Sequence, residues 1–168
     1  MSNDSVKTRE VSLITYDCGL QAIAAGIEFA RLRGVALSFV ALDAMGHLVA
    51  AARMDGAPFL TAEVARGKAF ACVASGGQPG SVLAQRFNDN PMVWSNVASL
   101  GFGAPLLPAV GALPIYLEGV LVGALGASGA PSEIDEAAVR HAIASIGGSA
   151  TAADSAQGST TSGGKGQS

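Results

Sequence analysis

Three charged side chains stand out in a chain that has few: Arg53, Asp55 and Lys68. Charged residues make up 14% of the sequence and hydrophobic ones 49%. An ionic group inside an apolar segment is therefore a stronger sign of chemistry here than in an ordinary soluble domain. An arginine fork matches a carboxylate through two parallel hydrogen bonds, and a lysine supplies a compact positive charge. Arg53 and Lys68 together suit an anionic ligand group, while Lys68 or Asp55 suits proton transfer if burial draws its pKa toward neutrality. The competing readings are structural. Lys68 snorkels to solvent or pairs with Asp55, and Asp55 closes its own turn through the backbone.

The remaining polar candidates are weaker. His47 follows the turn Asp43-Ala-Met-Gly46, where a solvated ring is the ordinary outcome and a ligand role the rarer one. His141 falls late in the chain, on the outer face of a helix. Two histidines far apart and no Cys-x-x-Cys pair give no zinc pattern, and Cys18 and Cys72 read as reduced thiols on helices. Ser128, within Gly126-Ala-Ser-Gly129, lacks the strand-to-helix elbow of an activated nucleophile. The glycines around it suit close backbone approach, and their N–H groups suit an anion. The Gly-rich segments match neither a phosphate-binding loop nor a dinucleotide fingerprint.

These residues need a frame to hold them. A helix is expected from Thr15 to the stop at Gly34, with Leu20, Ile23, Ile27 and Ala30 on its apolar stripe. Val35 to Leu42 and Leu48 to Met54 read as paired strands, broken by Asp55-Gly-Ala-Pro58. Leu60 to Ala74 reads as a helix apolar on nearly all sides, which implies a neighbour or a second subunit and hence a homo-oligomer. On it Glu63 and Arg66 lie three apart and pair with each other, leaving Lys68 to find its acceptor elsewhere. Ser81 to Gly103 is expected as a short helix and irregular cover. Val110 to Leu117 and Val120 to Ala127 form a second strand pair around Glu118-Gly119. A last helix opens with Ser132 as N-cap and Asp135 reaching back, and ends near Gly147-Gly148. Residues 1–148 thus form one α+β domain, with 149–168 a flexible tail too poor in apolar residues to pack.

A net charge of −3 and the absence of a basic patch argue against nucleic acid as partner. No apolar run is long enough to span a membrane, and the charged start is unlike a signal peptide, so a cytoplasmic location is expected.

The order of short motifs then carries a resemblance. Val40-Ala-Leu-Asp-Ala-Met-Gly-His-Leu-Val-Ala50, Arg53-Met-Asp-Gly-Ala57 and Ala65-Arg-Gly-Lys-Ala69 are followed by Gly111-Ala-Leu-Pro-Ile115, by Gly119 to Gly129 and by Asp135-Glu136. This series resembles the GlcG/HbpS-like family, which includes the C-terminal domain of PduO-type proteins. The resemblance implies an α/β/α sandwich on a central antiparallel sheet, related to PAS and profilin-like folds. It also implies homo-oligomers, haem binding in several members, and genes placed beside those of small organic-acid catabolism. The chain departs from the pattern in having Gly111-Ala112 where Gly-Gly is frequent, and in a longer segment from Ser75 to Ala104.

Two functions follow as expectations. One is a homo-oligomeric binder of haem or a small anionic ligand, with Arg53, Lys68, His47 and Ser128 as ligand-binding candidates and no dedicated metal site. The other is an enzyme acting on an anionic organic acid, with Arg53 as carboxylate anchor and Lys68 and Asp55 as the catalytic pair.

Overall fold

The apolar alternation that predicts strand pairs yields one four-stranded antiparallel sheet in the structure, a computed structural model that describes residues 7–157. Its strands are β1 (Ser38–Asp43), β2 (Leu48–Arg53), β3 (Ala112–Leu117) and β4 (Val120–Ser128), in spatial order β2-β1-β4-β3. The two expected hairpins therefore join through β1 and β4, from Ser38 opposite Ser128 to Asp43 opposite Gly123. Every residue of β1 is buried, as a strand covered on both faces must be.

Side chains alternate across the sheet and feed two cores. Phe39, Ala41, Leu113, Ile115, Leu125 and Ala127 pack under α1 (Tyr16–Leu32) and α5 (Ser132–Ser145). Val40, Leu42, Ala112 and Ala124 pack under α2 (Leu60–Ala74). The result is the α/β/α sandwich expected from the resemblance.

Thr15 caps α1 by accepting the Cys18 N–H at 3.2 Å. The buried face of α1 is Gly19, Ala22, Ile23, Gly26 and Ala30, whereas Leu20 is exposed. Glycine sets this rotation, because a Cβ on Gly26 would lie 2.6 Å from the Phe39 ring. Close approach also fixes α2, since a Cβ on Gly126 would stand 2.2 Å from the Ala65 carbonyl oxygen.

Three sequence expectations need correction. Ser81 to Gly103 is more regular than expected and forms α3 (Gly80–Asp89) and α4 (Pro91–Ala98). The N-cap of α5 is Pro131, with Ser132 its first residue, and Asp135 reaches back to the Ala130 N–H at 3.1 Å. Order also continues past Gly148: Ser149 exchanges two backbone hydrogen bonds with Tyr116, at 2.9 and 3.0 Å, and α6 spans Ala152–Gln157. The rest of the expected tail, 158–168, lies outside the described residues. None of the described helices is long and apolar enough to cross a membrane.

Candidate functional site

Lys68 is the lysine that its own helix does not satisfy, and the structure supplies its partners from two other elements. Its ammonium donates to the Asp135 carboxylate at 3.1 Å and to the Ala127 carbonyl at 3.2 Å. The two side chains are 7% and 2% exposed. Lys68 rises from α2 and Asp135 from α5, on opposite faces of the sheet, so the pair closes around the end of β4. Gly111 makes this meeting sterically feasible, because a Cβ there would lie 2.6 Å from the Lys68 nitrogen. Burial pushes the Asp135 carboxyl up, against the downward pull of Lys68 and of the Ala130 N–H.

The expected Lys68–Asp55 pairing is therefore corrected to Lys68–Asp135. The grouping of Arg53, Asp55 and Lys68 separates as well. Arg53 and Asp55 line a cleft of about 400 Å³ with Ile27, Arg31, Ala52 and Met54. Lys68, tied to groups of the protein itself, is absent from that lining. Ser128 is buried at the end of β4 in register with Ser38. The anion expected at its glycine-rich turn is internal: the Ala130 N–H meets the Asp135 carboxylate, and the Ala127 N–H meets the Gly111 carbonyl at 2.8 Å.

His47 is solvated, with its Nδ1 3.4 Å from the Asp43 carboxylate. The hollow beside its turn, bounded by Met45, Gly46, Phe70 and Val73, measures only about 90 Å³. The larger cleft, about 530 Å³, opens on the outer face of α5. Glu133, Glu136, Ala137, Arg140, His141 and Ala144 line one side, and Ser81 and Val110 the other. His141 rests its ring on Phe29, centroids 5.3 Å apart. Arg140 donates to Glu136 Oε1 at 3.0 Å, while Glu136 Oε2 is buried without a hydrogen-bond partner. The Glu136 charge adds to burial in pushing the enclosed Cys72 thiol up to about 12, offset in part by the Gly80 N–H.

A family model described as "Haem degrading protein HbpS-like" matches residues 14–144. The chain belongs to the HbpS-like family. Among solved structures, HbpS is 26% identical with a TM-score of 0.72, covering 86% of this chain and 97% of that one. The Klebsiella pneumoniae protein ORFY (22%, TM-score 0.74, 83% and 94% covered) and the PduOC:heme complex (24%, TM-score 0.73, 83% and 99% covered) share the fold. Comparison with curated protein sequences returns no significant match.

The sequence pattern marks Asp135 as a helix-start residue and His141 as outward-facing, and points neither to a site. A signal for Asp135 was present. It stands on one helical stripe with Ala138, Val139 and Ala142, all buried, and a carboxylate on an apolar stripe requires a buried cation.

Proposed function

We propose that this HbpS-like protein is a haem-binding protein, and that the cleft beside His141 holds the haem. The observation that carries the reading is the combination in that cleft of a histidine, an arginine fork with donors to spare and apolar contacts from Val110, Ala137 and Ala144. Haem asks for an axial ligand, an apolar slot for the ring and cations for the propionates. His141 provides the ligand, and Val110, Ala137 and Ala144 provide apolar contact. Arg140 is largely exposed and spends one donor on Glu136, leaving further N–H groups for a propionate at the open rim. When bound, haem supplies iron chemistry that the side chains of this chain do not have. The protein's own part is to orient the ring: Phe29 backs His141, and Arg140 is steadied by Glu136.

His47 is the poorer ligand, since the hollow beside it is far too small for a macrocycle. The acid–base enzyme reading loses its central residue because Lys68 is held by Asp135 and Ala127. Assembly into a homo-oligomer belongs to the same proposal. Helix α4 has no buried residue, Met92, Leu100 and Phe102 are exposed, and no charged residue occurs from Pro91 to Leu117. Such a surface favours apolar association.

Titration with hemin tests the proposal. A saturable, sharpened Soret band is expected, shifted or lost in His141→Ala and unchanged in His47→Ala, with sedimentation reporting a species larger than one chain. No saturation, or an unchanged spectrum in His141→Ala, would refute the assignment.

A further inference from the structure

The turn Arg53-Met-Asp-Gly-Ala57, prominent in the sequence, plays no part in the His141 cleft. It has its own hollow, about 400 Å³, between the end of β2 and the last turns of α1. The turn is held rigidly. Met54 donates its N–H to the Leu37 carbonyl at 3.0 Å and receives the Leu37 N–H on its sulfur at 3.4 Å. Ala57, buried, donates to the Met54 carbonyl at 3.1 Å. Gly56 takes a φ of 90°, which lets the chain reverse without strain. Arg53 Nη1 then donates across the turn to the Ala57 carbonyl at 2.7 Å. One N–H of the fork fixes its direction and others stay available.

The charges around this hollow balance in a specific way. Arg31 pairs with Glu28 one turn earlier in α1 through an exposed contact and also lines the hollow. On the turn itself a cation, Arg53, and an anion, Asp55, stand on either side of Met54, above a floor of Ile27, Ala52 and Met54. A simple carboxylate would satisfy Arg53 and place its charge beside Asp55. A ligand carrying both a carboxylate and a neighbouring ammonium satisfies both groups and adds no net charge.

We propose that the Arg53–Asp55 turn and the end of α1 form a second ligand site, for an α-amino acid with an apolar side chain. Arg53 takes the carboxylate, Asp55 the ammonium, and Ile27 and Met54 the side chain. The site shares no residue with the His141 cleft, so the two assignments fail independently.

The test uses the full chain and isothermal titration with L-alanine, L-leucine, L-methionine and L-phenylalanine. Each is compared with its desamino acid and its decarboxylated amine. At least one amino acid is expected to bind saturably, on the order of tenfold more tightly than either analogue, the usual worth of one charge-assisted hydrogen bond. Asp55→Asn, an exposed and isosteric change, is expected to lower the amino-acid affinity to that of the desamino acid while hemin binding is unchanged. Arg53→Lys, which removes the fork, is expected to weaken the amino acid and the desamino acid alike. The proposal is overturned if none of the four amino acids binds at millimolar concentration. It also falls if the analogues bind equally well, or if Asp55→Asn binds as the native protein does.

Discussion

Replacing Lys68 by Met keeps the aliphatic length and removes the ammonium, which isolates the worth of the buried pair. The two side chains are 7% and 2% exposed, with nitrogen and oxygen 3.1 Å apart. In the variant Asp135 retains the Ala130 N–H on one oxygen and loses its cation from the other. Removing one partner of a buried pair costs about 3–5 kcal/mol. At about 2–4 °C per kcal/mol for a domain of this size, the melting temperature falls by roughly 6–20 °C. Protonation of Asp135 limits the loss, and its sign can be worked out. Its folded pKa already lies above the ordinary 3.8 because of burial. The folded state thus holds the proton more tightly than the unfolded chain, and stability from this group fades as pH rises through the folded value. Without Lys68 that value climbs further. The penalty of Lys68→Met is therefore smaller at acid pH and grows as pH rises through the folded value of Asp135. Urea unfolding across this range measures it, and a companion Lys68→Met/Asp135→Leu variant is expected to recover most of the loss. A single variant as stable as the native protein at neutral pH would refute the structural reading. So would a double variant weaker than the single one.

Two further outcomes follow from the same packing. The Cys72 thiol, fully buried and pushed up to about 12, is expected to resist a thiol reagent at about pH 8 while half-buried Cys18 reacts, since the thiolate is the reactive form. Equal rates in the native protein would contradict that burial. Truncation after Gly148 removes the two Tyr116–Ser149 backbone bonds. At about 0.5–1.5 kcal/mol each, a fall of a few degrees in melting temperature is expected, and an unchanged melt would show that this strap adds nothing.

The elements with a strong local pattern were legible. Helix α2 runs from Leu60 to Ala74 as its apolar run predicts, and the Glu63–Arg66 pair forms at 4.0 Å. Helices α3 and α4 were not legible. Their residues Phe87, Trp94 and Val97 are only partly buried, so no apolar stripe marks a period. The all-round apolar character of α2 also has a local cause. The sheet covers one side, and Pro105 and Leu107 lie against Gly67, where an added Cβ would come within 3.1 Å of Leu107. A chain segment some forty positions away covers this side, and single-helix periodicity carries no sign of that.

The same limit governs the site. Arg53, Asp55 and Lys68 lie close in sequence, which made one shared site the natural expectation. A strand end and a helix that packs across the sheet point their residues to different places, however, and only the sheet order decides which. Asp135, distant in sequence, reaches Lys68 because β4 and β1 are neighbours and α5 returns over the face opposite α2. The pair joins the two helical layers around the strand end, so the charge that looked most catalytic is a tie in the scaffold. What remains open to solvent is a histidine, an arginine and two glutamates in one cleft, and two arginines and an aspartate in another. Both clefts are open to solvent and lined by charged groups beside apolar ones, which gives both the makings of recognition. Binding is the reading we propose for both clefts, since the buried Lys68–Asp135 pair lines neither.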